Sequence, residues 1–437
     1  MNSINNTLGS VKWFISAKEN MSEEIKNIPK KFKLRESGFA ILKNRRFRTL
    51  WTGYLFSYFG VWIQNITLAW VVVNQTNSAK ALGTLLLIQF FPAMLLTLVG
   101  GSLADKYPKK KLLLYSQILM FIPSIIIGII SINSPINLIL LYVLVGIVGL
   151  AQAINNPVRQ AFFPEVVEKD DLPSAIYLNS SAFNIAKIAG PALGGLMISF
   201  MGVFWTLTLN NLNYLLMIIA LFYIKADKNK TPDNSRGEDM FKQISEGIKY
   251  SIAEKRILII MIIAIFLGTF GYNLNAIAPL VAKFILKATP AEFGLMTASA
   301  GVGSLAAAII LTLIKKTNLR IIGLGALGFS MALIMIGLSG SVLSASLSFG
   351  LFGFFGIVFF SSSNSLVLLK TPKELQGRVS SIFLFLIVGS TPVGSYIIGH
   401  MSDIIGVKET ILSFGILCLL SFIITRLLFF KVKNSDD

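Results

Sequence analysis

The chain has 437 residues, 54% of them hydrophobic and 14% charged, with a formal net charge of +18. Soluble domains carry about 25% charged residues, so a water-soluble fold is excluded. The basic excess sits in loops and tails rather than on one face, which argues against nucleic-acid binding, and a lone cysteine, Cys418, rules out a disulfide framework within the chain.

Residues 1–46 are polar and basic, with Leu8, Val11, Trp13, Phe14 and Ile15 set among lysines. Two readings stand for this segment: an interfacial helix on anionic lipid, or a flexible basic tail. A signal peptide is not expected, because no apolar run lies near the start.

Apolar runs follow, each about 20 residues long, the length a helix needs to cross roughly 30 Å of hydrocarbon. They are read at 47–73, 80–104, 111–131, 136–156, 175–200, 204–224, 256–281, 290–314, 319–338, 342–369, 379–400 and 408–430. A barrel would show short segments alternating in and out instead. Basic loops resist translocation, so they mark the cytoplasmic side. Lysine and arginine crowd the segment before the first run and every second loop after it. The opposite loops hold only Lys80, Lys283, Lys287 and Lys408. Both termini are therefore expected in the cytoplasm, with an even number of spans.

A polar stretch, 225–255, divides the spans six and six. The expected organisation is a basic N-terminal segment (1–46), a first six-helix half (47–224), a cytoplasmic linker (225–255), a second half (256–430) and a cytoplasmic tail (431–437). The halves echo each other. Asn156 precedes Pro164 by the same interval as Asn364 precedes Pro372, and Ser180-Ser181-Ala182-Phe183 matches Ser380-Ser381-Ile382-Phe383. Two such halves, related by an axis along the membrane normal, describe a secondary transporter that rocks around a central cavity.

Three stretches carry a resemblance. Gly101-Ser102-Leu103-Ala104-Asp105-Lys106-Tyr107-Pro108-Lys109-Lys110, between spans 2 and 3, resembles the signature of the major facilitator superfamily, with Pro108 where glycine is usual. Proline suits a turn of negative φ. Gly190-Pro191-Ala192-Leu193-Gly194-Gly195 in span 5 resembles an element of the superfamily's export branch, although Ala186 stands at the place of one upstream glycine. Asn155-Asn156-Pro157-Val158-Arg159-Gln160, running on to Pro164-Glu165, resembles the transmembrane secretion effectors, a group that includes enterobactin exporters and macrolide efflux proteins.

The resemblance implies an all-α membrane protein of twelve spans, multi-pass in a cytoplasmic (inner) membrane. It implies a monomer that exports a small amphipathic organic molecule by alternating access with proton antiport. Gly101, Asp105, Lys106, Lys109, Lys110 and Arg159 would form a conformational latch, with Asp105 accepting hydrogen bonds from a helix N-terminus across the seam. An importer, a lipid flippase or a non-transporting sensor on the same fold remain alternatives. An enzyme is not expected, since no catalytic constellation is present. Nor is a cofactor or a metal, since there is no P-loop and only one histidine and one cysteine.

An ionisable residue at membrane depth marks function. Lys187 stands about one turn before Gly190-Pro191, either to pair with a substrate anion or to anchor backbone carbonyls. No carboxylate lies in the middle of spans 1, 4 or 7, which leaves Asp105, Asp403 and His400 as coupling candidates. Gln64, Asn65, Gln89, Asn273, Asn275 and Asn364 are polar candidates for a central cavity, with Trp62, Trp70, Phe90 and Phe270 as its apolar surface. Helical spacing does not separate those that face the cavity from those that join helices.

Overall fold

The computed structural model describes residues 38–132, 136–224, 240–314 and 317–428, and these form helices joined by short turns. By length and composition, eleven helical stretches among them can cross a membrane. The two possible states of the basic N-terminal segment, and the C-terminal tail, fall largely outside the described residues.

The polar residues between apolar runs act as helix caps. Asn44 accepts from Arg46 N and Phe47 N to start α1 (Arg45–Thr76), and Asn77, in the left-handed region, ends it. Next come α2 (Ala79–Lys106), α3 (Lys109–Ile130) and α4 (Leu138–Val166), the last capped by Asn137. These side chains satisfy N–H groups that a helix start leaves without a partner.

Helices α5 (Leu172–Asn210) and α6 (Leu212–Tyr223) form one 52-residue apolar stretch. A straight helix of that length would measure about 78 Å, more than twice the hydrocarbon thickness. The chain breaks at Gly202, whose φ of 79° and ψ of 173° only glycine adopts without strain. That break falls between the sequence-based spans 175–200 and 204–224.

One departure from the sequence reading lies in the polar stretch after span 6, which holds a helix, α7 (Met240–Ala253). Its isoleucines recur every four residues, enough to pattern an amphipathic helix inside an otherwise polar segment.

The seventh span is interrupted. Helix α8 (Lys255–Phe266) passes through a π turn, Leu267–Gly271, into the short α9 (Leu274–Leu280) and a second π turn, Val281–Ile285. Asn273 repairs the break by donating its side-chain amide to the carbonyls of Thr269 at 2.8 Å and Gly268 at 3.4 Å. Backbone freed at membrane depth needs such a partner. Then come α10 (Pro290–Leu313), opened by a Thr289–Glu292 capping box, α11 (Leu319–Gly337) and α12 (Val342–Lys370). The eleventh span, α13 (Gln376–Leu384) and α14 (Thr391–Ile405), has its own π turn at Phe385–Gly389, and α15 (Val407–Leu428) is the last described helix.

Packing repeats itself. Helices α2 and α3 both lie against α4, and α10 and α11 both lie against α12. Between the residues before 224 and those after 255, the broad contacts are α5 on α10 and α2 on α14. Both are seams of small residues, which let backbones approach where lipid supplies no hydrophobic drive.

Candidate functional site

Along the seam between those two sets of helices, the described polar contacts gather at one end, where α2 begins and α14 finishes. Asp403, near the end of α14, accepts from Ser78 Oγ at 2.7 Å, from the backbone N–H of Ala79 at 2.8 Å and from that of Lys80 at 3.2 Å. A carboxylate from one set thus caps the first turn of a helix in the other, where the helix dipole favours negative charge. Lys283 Nζ donates to Asn74 Oδ1 at 2.9 Å across the same seam. Below them, Gly83 and Gly399 bring the α2 and α14 backbones together.

Gly190-Pro191-Ala192-Leu193-Gly194-Gly195 occupies the neighbouring junction. A Cβ on Gly190 would lie 2.6 Å from Trp62 Cβ, and one on Gly194 2.6 Å from Ile66 Cγ2, so these two glycines seat α5 on α1. Gly195 faces the other way. A Cβ there would run into the carbonyl of Pro290 and lie 3.0 Å from Gly294 Cα on α10. The motif therefore serves two helices at once, one in each set.

A small cavity lies against it, lined by Trp62, Asn65 and Ile66 of α1, Pro191 of α5, Asn275 and Pro279 of α9, and Phe293 and Thr297 of α10. About 10 Å³ is free, roughly the space of one water. Trp70 stacks on the lining residue Phe293, ring centroids 5.7 Å apart. Lys187 stands four residues before Pro191, on the same face of α5, one turn further toward the opposite end.

The polar candidates divide into two groups. Asn65 and Asn275 line the cavity, and the buried Gln89 holds Asn65 by donating to its Oδ1 at 2.8 Å. Gln64, one residue earlier, is buried and accepts from Tyr214 Oη at 2.7 Å, tying α1 to α6. Asn273 is buried, accepts from Ser395 Oγ at 3.0 Å and braces the π turn. Asn364 is half-buried on α12. His400 is exposed, its ring parallel to that of Tyr396 at 6.1 Å. Phe270 packs on Phe414, and Phe90 lies against the core. Cys418 is fully buried, as its apolar surroundings in the sequence suggest.

At the other end, Lys109 Nζ pairs with Glu165 at 2.7 Å and Lys110 Nζ donates to the carbonyl of Ile224 at 2.7 Å. Arg159 donates to Asn156 Oδ1 at 3.0 Å and lies over the rings of Tyr54 and Tyr58. These contacts all stay within residues 45–224. The side chains of Gly101, Asp105 and Lys106 lie outside the described residues.

Sequence reasoning missed Ser78, Asn74, Lys283 and Phe293 as seam residues, and it named Asp403 as a coupling candidate without foreseeing its cap on α2. A signal was present, since Ser78-Ala79 at the mouth of a span has the look of a helix start.

Interrupted helices beside a cavity, with glycine seams on either side, are the build of a polytopic helical transporter. The family model for transmembrane secretion effectors matches residues 36–437, and the chain belongs to that family. It is similar to the staphyloferrin A transporter of Staphylococcus aureus (strain NCTC 8325 / PS 47), 24% identical over 404 residues, covering 88% of this chain and 99% of that one. It is also similar to macrolide efflux protein A of Streptococcus pyogenes, 20% identical over 381 residues, covering 85% and 93%. A solved bacterial homolog of the human lysosomal transporter Spinster, inward-facing and unoccupied, shares the fold, with TM-score 0.69 at 13% identity over 90% of this chain and 99% of that one.

Proposed function

We propose that this chain is a secondary exporter that moves a small amphipathic organic molecule out of the cell by alternating access with proton antiport. Siderophores, macrolides and lipophilic drugs are the substrate classes to test, because relatives bear names of those kinds. The observation that carries the reading is the seat of Gly190–Gly195. The motif joins α5 to α1 and α10 beside the cavity, where relative motion of the two sets of helices changes access.

In this reading the chain makes twelve crossings, the fifth and sixth divided at Gly202, in two halves over 47–224 and 256–430. The recurring packing of paired helices on α4 and on α12 supports that division. Both termini lie in the cytoplasm, so the basic Lys109 end faces inward. The seam closed by Asp403, Asn74–Lys283 and Gly195–Gly294 is then the outer gate, and Gly101–Lys110 with Arg159 the inner latch. Asp105, His400 and Asp403 are the candidate carriers of coupling.

Lys187→Ala is expected to change substrate preference by severalfold while leaving the amount of protein in the membrane unchanged. The rationale is its place one turn from Pro191. Competition transport across a panel of anionic and neutral compounds measures it, and loss of the protein from the membrane would make Lys187 structural.

The function itself is tested in everted vesicles holding an imposed pH gradient, followed with a pH-sensitive dye. Macrolides, catechol siderophores and lipophilic drugs are added singly. Discharge that requires the protein supports antiport and identifies the substrate class. Movement of labelled compound without discharge refutes proton coupling, and movement in the opposite direction refutes export.

A further inference from the structure

Helix α7 carries an apolar stripe that the described protein leaves uncovered. Ile244, Ile248 and Ile252 are 42%, 43% and 59% exposed and stand four residues apart, on one side of the helix. A neighbouring face is docked. Gly247 sits 3.2 Å (to a built Cβ) from Arg378 Cβ and also meets Ile382, while Glu246 pairs with Arg378. Tyr250 Oη donates to the carbonyl of Lys370 at 2.8 Å, and Ser251 is buried. Around the helix, the docked face gives way on one flank to the isoleucines and on the other to exposed Lys249 and Ala253.

Its position fixes what covers the stripe. Glu254, extended at φ −84° and ψ 101°, breaks the chain between α7 and α8, so α7 does not continue the spanning helix. Helix α8 starts at the next residue, and its stretch has a mean hydropathy of 2.3, among the most apolar of the chain. The C-terminal end of α7 therefore sits where hydrocarbon begins. Beside it, Leu369 is 73% exposed, next to the residue that receives the Tyr250 bond, so lipid-facing surface reaches the same level. Lys249 and Lys255 are exposed there, and Arg378 answers the charge of Glu246.

We propose that α7 is an interfacial helix whose Ile244, Ile248 and Ile252 dip into the leaflet at the Lys109 end, with Lys249 and Lys255 reaching anionic phospholipid headgroups. An apolar flank beside a cationic one is the pattern of a helix lying in the headgroup boundary. Because the same helix grips the start of α13, the leaflet is tied to the eleventh span at the end opposite Asp403.

The test uses the full-length protein carrying Cys418→Ala, with a nitroxide label on Ile248→Cys, Ile252→Cys or Ala253→Cys. It is reconstituted in phosphatidylcholine vesicles and in vesicles of equal parts phosphatidylcholine and phosphatidylglycerol. At 248 and 252, oxygen should relax the label severalfold more than an aqueous nickel chelate, with the reverse at 253. Lys249→Gln with Lys255→Gln should reduce that preference in the phosphatidylglycerol vesicles alone. Labels at 248 and 252 as open to nickel as at 253 would place the stripe in water and overturn the proposal. Labels shielded from both reagents would mean that protein covers the stripe, with the same consequence. An immersion indifferent to the lysine changes would overturn the anionic-headgroup contact.

Discussion

Gly195→Leu is expected to lower transport at least about tenfold while the protein stays folded in the membrane. The side chain would meet backbone, the Pro290 carbonyl and Gly294 Cα and N, and backbone cannot rotate aside. Helices α5 and α10 would have to separate, and overpacking of this kind costs about 1–3 kcal/mol. Charged to one of two states, that shifts their ratio by about 5- to 150-fold. Gly340→Ala is the control, since nothing stands within 4 Å of a Cβ there. Uptake of substrate by everted vesicles, normalised to protein in the membrane, measures the effect. Wild-type transport by Gly195→Leu would mean that the α5–α10 contact is not a closing surface.

Asp403→Ala is expected to shift the protein toward the state open at the Asp403 end. The change removes three acceptor contacts that cap α2 from across the seam. Loss of a cap costs about 1–2 kcal/mol, a change of roughly five- to thirtyfold in the ratio of closed to open forms. Asp403→Asn keeps one acceptor oxygen and should lie between. Pulsed electron spin resonance between labels on Ile139→Cys and Leu343→Cys, both exposed in the first turns of α4 and α12, reads the populations. An unchanged distance distribution in Asp403→Ala would reduce the cap to a local contact with no hold on the seam.

The spans were legible in the sequence because hydrocarbon demands a fixed length of apolar helix, and even the break near Gly202 fell between two predicted runs. The motif at Gly190–Gly195 was legible too, since small residues at fixed spacing announce close packing. Asp403 and Ser78 were not joined by that reasoning, because 325 positions separate them and no local pattern links the end of one span to the start of another. Nor did spacing distinguish Asn65 from Gln64, or Asn275 from Asn273. Gln64 and Asn65 are adjacent on one helix and point about 100° apart, so one braces a partner and the other lines the cavity, while Asn273 precedes the helix that carries Asn275. In the seventh span the π turns shift the register further, which removes the 3.6-residue period on which any facing argument rests. Helix α7 was hidden by its polar surroundings, although its isoleucines carried the period.

The tightness of the cavity between Trp62, Asn275 and Phe293 bears on how affinity will be measured. With room for about one water, that space receives no organic molecule until the helices around it part. If the proposed exporter takes its substrate there, binding is coupled to opening, and the apparent dissociation constant is the intrinsic one divided by the fraction of molecules already open. A substitution that loosens the seam can tighten apparent binding by the factor in which it raises that fraction, even as it slows the cycle. Titrations and transport rates are then expected to rank the same variants in opposite orders.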